Sequence, residues 1–225
     1  ETKPPTSGTV FDAMVGTVTD VDVQDSEDGT QYVMTVKQKD NLPAGFKFVP
    51  VASIAVNPSV IVASSGVPAD SLAALVRHVQ ANPGAVSFGS TGVNGLNHLQ
   101  LEMLKAETLA KTGRAFEVIH VPYNGVAPAL IGIRRQEVQA CTLPYTALVR
   151  NLHGKELRVL AVQSPKRLRG LPDVPTTGEQ GFPEMNANEA YINIAAPRGT
   201  PADVVARLES ALRKTMADPV IDKRL

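Results

Sequence analysis

From Val60 onward, short apolar runs alternate with amphipathic stretches along the chain. Between residues 70 and 81 the apolar positions recur at i, i+3, i+4 and i+7, a spacing that predicts a helix with one buried face, formed by Leu72, Leu75, Val76 and Val79. Asp70 and Ser71 open this helix, and the turn residues 82–84 end it. Further strands are predicted over 86–89, 116–121, 138–143 and 157–162, and helices over 95–110, 126–134 and 145–152. This alternation with short loops favours a mostly parallel sheet with helices on both faces.

The two ends of the chain have a different pattern. Residues 18–23 and 31–36 alternate like strands around a polar turn at 25–29, and residues 2–8 are expected to be frayed. The proline-rich stretch 163–183 is interpreted as a connector with a brief helical turn, not as a core element. A strand over 190–196 precedes a last helix, with Thr200 as the N-cap and Pro201 at its first position. Its predicted buried stripe is Val204, Val205, Leu208, Leu212 and Met216.

Composition and charge exclude several classes of function. Hydrophobic residues make up 43% of the 225 positions, enough for a sizeable core, while Lys+Arg and Asp+Glu are both 22, so the chain has no basic excess. A nucleic-acid groove or a membrane surface is therefore not indicated. The longest apolar runs, such as 159–162, are too short to span a bilayer. No signal peptide is visible at Glu1, so we expect either a cytosolic chain or a trimmed form.

The segment 88–98, with the sequence FGSTGVNGLNH, is the first candidate site. A predicted strand ends there, a loop with glycines follows, and an amphipathic helix begins. Glycines allow close approach of a ligand to the backbone, and the N–H groups at a helix start are unpaired donors. Ser90, Thr91 and Asn94 add side-chain donors suited to carboxylate oxygens. The loop is either such an anion site or an ordinary tight turn that needs glycine, and it lacks the glycine spacing of nucleotide-binding loops.

The segment 120–129, with the sequence HVPYNGVAPA, is a second junction of the same kind. Loops at the carboxyl ends of parallel strands converge on one crevice, so we expect both junctions to face it. Tyr123 is a candidate wall, and the backbone from Gly125 to Ala127 is a candidate donor. The alternative is that Pro122 and Gly125 only shape the turn.

Catalytic and metal chemistry have weaker signals. The single cysteine, Cys141, excludes an intramolecular disulfide and a cysteine-based zinc site. Zinc-hydrolase and esterase motifs are absent from the sequence, so no metal and no cofactor are predicted. His98 is expected to have a structural role, and His120 to be buried or hydrogen-bonded. An enzyme that uses Cys141 as nucleophile with a histidine base is kept as the least favoured hypothesis.

Four segments, in order along the chain, resemble the Bug family of extracytoplasmic receptors of tripartite tricarboxylate transporters. They are residues 67–99, 120–130, 157–183 and 196–219, and the resemblance runs from about Phe48 to the C-terminus. It implies a two-lobed α/β fold like that of type II periplasmic binding proteins, with mixed sheets, a hinge and a ligand between the lobes. Lobe one would comprise residues 1–61 and 166–225, and lobe two residues 62–165.

The resemblance also implies a function and a set of site residues. It implies a periplasmic, non-enzymatic receptor that takes a small organic carboxylate to the membrane permease subunits of the transporter, with no nucleic-acid partner and no membrane insertion of its own. The residues at the family's ligand positions are Ser90, Thr91, Gly92, Asn94, Gly95, Tyr123, Asn124, Gly125, Val126, Ala127 and Thr142.

Three departures from the family pattern define an alternative. The family's first-lobe loop F-x-P-G-G-x-x-D is not found, although residues 28–34 resemble the strand that follows it. Residues 140–142 stand where the family commonly has an aromatic–Asp–Asn triplet, and the chain stops at Leu225, short of the usual last helix end. The chain is thus expected to be N-terminally truncated or divergent. The alternative function is a receptor relative that takes up no ligand or binds a protein partner in a sensory role.

Overall fold

A computed structural model of the chain describes residues 16–25, 30–38, 48–149, 156–187 and 190–222. The described strands are β1 (Gly16–Asp25), β2 (Thr30–Gln38), β3 (Phe48–Asn57), β4 (Ser59–Ser64), β5 (Ser87–Ser90), β6 (Ile119–Pro122), β7 (Ala140–Pro144), β8 (Leu157–Gln163) and β9 (Ala190–Pro197). The described helices are α1 (Leu72–Ala81), α2 (Leu96–Thr112), α3 (Val126–Arg134), α4 (Tyr145–Val149), α5 (Ala202–Met216) and α6 (Pro219–Asp222), with 3-10 turns at Gly178–Gln180 and Pro183–Ala187.

The chain divides into two compact units. One comprises the described residues up to Val56 together with those from Tyr191 onward, and the other runs from Asn57 to Ala190. The sequence-based lobe boundaries differ from these points, most clearly in assigning residues 166–190 to lobe one. The division into lobes with a hinge stays a prediction.

The strands form two sheets. The four-stranded sheet has the order β1-β2-β3-β9, and its β1–β2 pair is antiparallel, as the alternation of residues 18–23 and 31–36 predicts. The five-stranded sheet has the order β6-β5-β7-β4-β8. β5 pairs in parallel with β6 and β7, whereas β4 runs antiparallel to β7 and β8. The second sheet is therefore mixed, with β5, β6, β7 and β8 pointing in the same direction.

Helices cover both faces of the five-stranded sheet, as predicted. On one face, α1 and α2 bury an apolar cluster that includes Phe88, Leu101 and Leu104. On the other face, α3 and α4 bury a cluster that includes Ile133 and Leu148. Burial of these side chains supplies the main favourable free energy for holding the sheet and the loops at its edges.

The observed ends of two helices follow their sequences closely. In α1 the predicted stripe is buried, and the Ser71 hydroxyl accepts a hydrogen bond from the Ala74 N–H as an N-cap. α3 spans Val126–Arg134, the predicted range. α2 continues to Thr112 and ends at Gly113, which adopts a left-handed conformation with φ of 70°.

Three sequence-based expectations are wrong in detail. The 163–183 stretch was expected to stay outside the core, but Phe182 within it is buried in the cluster beneath α1 and α2. Thr200 does not cap α5: its hydroxyl donates to the Pro197 carbonyl, and Pro201 occupies the N-cap position. In the predicted stripe of α5, Met216 is buried, whereas the exposed fractions of Val204 and Leu208 are 37% and 44%.

Candidate functional site

Four strands end at one edge of the five-stranded sheet. Because β5, β6, β7 and β8 point in the same direction, their carboxyl ends lie together, and β4 begins there with Ser59. The loop between β5 and α2 (residues 91–95, called the first loop) and the loop between β6 and α3 (residues 123–125, the second loop) both leave from this edge. The two loops therefore share one edge of the sheet, while the expectation that they face one ligand crevice stays a prediction.

The two loops are joined by backbone hydrogen bonds. The Tyr123 N–H donates to the Ser90 carbonyl at 2.9 Å, and the Gly125 N–H donates to the Thr91 carbonyl at 3.2 Å. These bonds extend the β5–β6 pairing past the ends of both strands. The second loop therefore takes its position from the backbone of the first.

Asn97 anchors the first loop to the core. It lies in the first turn of α2 with an exposed fraction of 4%, and its Oδ1 accepts a hydrogen bond from the Thr91 hydroxyl at 2.7 Å. Its Nδ2 donates to Gln100 Oε1 at 2.9 Å and to Ser59 Oγ at 3.4 Å. Asn97 is not among the predicted site residues, because a buried asparagine has no periodic signature in the sequence. The signal that points to it is a polar residue on the buried side of an amphipathic helix.

Two stacked histidines support the first loop from the α2 side. Their ring centroids lie 4.3 Å apart, with an interplanar angle of 3°. His98 Nδ1 accepts the N–H of Asn94, which has a φ of 60°, and His120 Nε2 lies 2.7 Å from the Ser90 hydroxyl. The predicted structural roles of both histidines agree with these contacts.

The surroundings of His120 favour its neutral form. Burial is the largest effect that lowers the pKa of His120, and the charges of His98 and Lys105 lower it further, while Glu102 acts in the opposite direction. His98 Nε2 lies 3.7 Å from Glu102 Oε1. A neutral His120 keeps Nε2 or Nδ1 free to accept a hydrogen bond, which suits its short contact with Ser90.

The hydroxyl groups of Ser90, at the end of β5, and of Thr91, in the first loop, are engaged within the protein. Ser90 is buried, and its Oγ contacts the Gly92 carbonyl as well as His120. The Thr91 hydroxyl hydrogen is donated to Asn97. The donors that this edge offers to a ligand are therefore mainly backbone N–H groups.

Unpaired backbone N–H groups open both helices. Gly95 and Gly125 occupy the N-cap positions of α2 and α3, and neither has a side chain that could cap the helix. Among the described residues, no acceptor is found for the N–H groups of Leu96, Asn97, Val126 and Ala127. Such N–H groups carry the positive end of the helix dipole, so this edge is suited to an anion.

Tyr123 places its ring away from the strand ends. The ring packs on α3, where the phenol oxygen lies so close to Gly132 that an added Cβ would clash with it. The hydroxyl lies 3.5 Å from Glu137 Oε2, and burial, followed by the nearby Glu137 carboxylate, raises the pKa of Tyr123. At the edge itself, Tyr123 contributes its backbone. Its neighbour Asn124 is exposed.

Thr142 lies near the end of β7 with an exposed fraction of 1%. It pairs with Ile61 across β4 and β7, so its side chain is on the α2 face of the sheet. The structure thus brings Thr142 to the same edge and face as Ser90. Contact of any of these predicted residues with a ligand stays a prediction.

Cys141 is unsuited to nucleophilic chemistry. It pairs with Gly89 and packs on the α3 face, whereas His120 pairs with Phe88, whose side chain is on the α2 face. Cysteine and histidine are therefore on opposite faces of the sheet. Burial raises the pKa of the Cys141 thiol far above its usual range, which disfavours the thiolate that attack requires. The hypothesis of a Cys141–His120 pair is wrong.

The part of the chain that the structure describes contains neither a metal-binding cluster nor a helix that could span a membrane. Within it, no three His, Cys, Asp or Glu side chains come together as ligands for a metal ion. In the same part of the chain, each helix is either too short or too polar to cross a bilayer.

Comparison with known proteins identifies a family match over most of the chain. The model of the tripartite tricarboxylate transporter family receptor matches residues 32–225. A UPF0065 protein of Bordetella pertussis is 31% identical over 170 residues, which are 76% of this chain and 50% of that protein. The chain spans about half the length of the curated relatives that it matches.

Solved structures agree with this match. A protein of R. palustris solved with adipate is 30% identical, with a TM-score of 0.65 over 74% of this chain and 53% of the other. The periplasmic binding protein BugD is 27% identical, with a TM-score of 0.66 over 79% of this chain and 57% of the other. The predicted class of fold, that of periplasmic binding proteins, is confirmed by these similarities.

Proposed function

The chain belongs to the tripartite tricarboxylate transporter receptor family, and on this basis we propose that it captures a small organic carboxylate in the periplasm. The receptor binds the carboxylate without covalent chemistry and takes it to the permease subunits of a tripartite tricarboxylate-type transporter. The carboxylate is held at the edge where the first and second loops leave the five-stranded sheet.

One observation carries the proposal: α2 and α3 start side by side at this edge without side-chain caps. Two adjoining loops, linked by the Gly125–Thr91 hydrogen bond, present unpaired N–H groups of both helices. A carboxylate has two oxygens that each accept such bonds, and charge-assisted hydrogen bonds are stronger than neutral ones. The positive ends of the two helix dipoles also attract the carboxylate.

A relative supports the class of ligand. The R. palustris protein solved with adipate shares 30% of its aligned residues with this chain. Adipate is a dicarboxylate, so it has the group that the edge of this sheet is suited to hold. By analogy with that protein, we propose that this chain also binds a carboxylate.

The first test is a thermal-shift and calorimetry screen. A panel of di-, tri- and aromatic carboxylates is added to the folded chain, and at least one acid is expected to raise the melting temperature, because a ligand that binds only the folded state stabilises it. An unchanged melting temperature with every acid, for protein shown to be folded by circular dichroism, would contradict the proposal.

A proline variant tests the role of the backbone. Leu96→Pro removes one N–H at the first position of α2, where proline is tolerated, and Gly95 before it already has the extended backbone (φ −79°, ψ 170°) that proline requires. Loss of one charge-assisted hydrogen bond is expected to weaken carboxylate binding by about 1.5–3 kcal/mol. Ala202→Pro, at the first position of α5, is the matched control and should bind like the wild type.

A further inference from the structure

Gln163 is a buried amide without a partner. It ends β8 with an exposed fraction of 0%, and neither Oε1 nor Nε2 finds a hydrogen-bond partner among the described residues. Buried side-chain polar atoms are nearly always hydrogen-bonded in native proteins, because water would otherwise be lost without replacement. An amide with both ends unpaired therefore indicates a group that the protein alone does not supply.

The strand register places Gln163 at the candidate site. It lies opposite Ser59 in the antiparallel β4–β8 pair, so both side chains point to the same face of the sheet, with Cβ atoms about 5 Å apart. The Ser59 hydroxyl accepts a hydrogen bond from Asn97, the residue that anchors the first loop. Gln163 is thus next to the polar network beneath the first loop, at the same edge as the unpaired N–H groups, but it makes no bond within that network.

The chemistry of the amide limits what can satisfy it. A carboxylate oxygen accepts from Nε2 but leaves Oε1 unpaired, and an ammonium group does the reverse. A hydroxyl donates to Oε1 and can accept from Nε2 of the same side chain or from a neighbouring donor. A hydroxyl can therefore pair with either end of Gln163, as a water molecule can, but only a hydroxyl on the ligand lets this amide distinguish one acid from another.

We propose that Gln163 is a specificity-determining ligand contact that recognises a hydroxyl group on the bound carboxylate, so that the preferred ligands are hydroxycarboxylates. This inference rests on the proposed function and adds to it the class of acid and the residue that selects it. The N–H groups of α2 and α3 hold the carboxylate, while Gln163 distinguishes acids with a hydroxyl from acids without one.

The test uses three pairs of acids that differ by one hydroxyl: succinate and malate, glutarate and 2-hydroxyglutarate, and phenylacetate and mandelate. Dissociation constants are measured by calorimetry for the wild type and for Gln163→Met, which keeps the length of the side chain and removes both polar atoms. The wild type is expected to prefer the hydroxy acid of at least one pair by about tenfold or more, because a lost hydrogen bond leaves a buried group unpaired. Gln163→Met should lose this preference and bind the plain acid within about threefold of the wild type.

Thr108→Val is the matched control. Thr108 is also buried with an unpaired hydroxyl, but it lies three turns along α2 from the first loop. This variant should keep the hydroxyl preference. Stability gives a second readout: Gln163→Met should melt at the same temperature as the wild type or higher, because an apolar isostere replaces an unpaired amide.

Three results would overturn the proposal in distinguishable ways. If acids bind but Gln163→Met keeps the wild-type preference, or if only acids without a hydroxyl bind, Gln163 does not select the ligand and the proposed function stands. If Gln163→Met unfolds, the amide has a structural role and the inference fails. If no acid binds to folded wild-type protein, the proposed function fails together with the inference.

Discussion

The first and second loops leave the same edge of the sheet but are held in different ways. The first loop is braced by side chains: Asn97 holds Thr91, and His98 holds the N–H of Asn94. The second loop is held by its backbone, through the bond from the Gly125 N–H to the first loop and a left-handed turn at Gly125 with φ of 108°. The first loop thus depends on which side chains are present, whereas the second depends on a dihedral angle and on the first loop.

This difference predicts which of the two loops each substitution disturbs. Loss of the side-chain network should disturb both loops, because the second takes its position from the first. A disturbance confined to the second loop should leave the Asn97 network intact.

Asn97→Ala is expected to have the largest effect. It removes three hydrogen bonds and leaves Thr91, Gln100 and Ser59 each with a lost contact in a buried setting. We expect the free energy of unfolding to fall by about 3 kcal/mol, with carboxylate affinity reduced as well. Urea denaturation and calorimetry measure the two effects.

Asn124→Ala is the matched control in the second loop. Asn124 is exposed, and its truncation should change stability by about 0.5 kcal/mol or less. Equal destabilisation by Asn97→Ala and Asn124→Ala would contradict the contrast between the loops.

Gly125→Ala should have an intermediate effect. An added Cβ meets no atom within 4 Å, so the cost comes from the backbone, where φ of 108° is unfavourable for alanine. We expect a loss of about 1–2 kcal/mol, measured by urea denaturation. Gly66→Ala is the control: its Cβ would lie 3.5 Å from Gln136 Oε1, an ordinary contact, and it should cost much less. A larger loss at Gly66 than at Gly125 would show that strain at Gly125 does not govern the second loop.

Acid should produce the smallest effect, and it acts on the first loop. The pKa of His120 is lowered in the folded chain, so folding favours the neutral form, while the unfolded chain binds a proton near the usual histidine value of about 6.5. The contribution to stability is therefore present above about pH 6.5 and is lost as the pH falls through the lowered pKa.

Melting temperatures measured between about pH 5 and pH 8 test this dependence. His120→Gln keeps a hydrogen-bonding group beside Ser90 but cannot titrate, so its profile should be flatter than that of the wild type. Asn124→Ala, which changes no titratable group, should retain the wild-type slope. A flat wild-type profile, or equal flattening in both variants, would contradict the assignment to His120.

Periodicity and turn residues predicted most of the fold. α3 matches its predicted range because Gly125 and the apolar run after it define its start. β6 begins at Ile119 and not at Phe116, which lies in a segment before the strand and packs edge-on against Phe88 with ring centroids 6.4 Å apart. Phe116 is buried, as its apolar character predicts, but it does not lie in the paired strand that the sequence pattern predicts.

The candidate site was predicted only in part. A glycine-containing loop after an apolar strand predicted where α2 and α3 start, because glycine at such a position reflects the backbone conformation of the turn. Asn97 and Gln163 were not predicted. Asn97 is singled out by its buried hydrogen-bond partners and Gln163 by the lack of any, and both features exist only in the folded chain. The side chain of Tyr123 was expected at the crevice, but sequence alone does not tell on which face of the sheet a ring after a short strand packs.

The uncapped starts of α2 and α3 have a consequence for how this chain tolerates genetic change. Every amino acid except proline supplies the same N–H, so substitutions at the exposed residues Leu96 and Ala127 should preserve the proposed contact with the carboxylate. In a deep mutational scan for carboxylate uptake, these positions should look permissive except for the proline column. Selection on the identity of the ligand would then be concentrated at a few side chains, so a receptor of the proposed kind would change its ligand without a change in the backbone that holds the carboxylate.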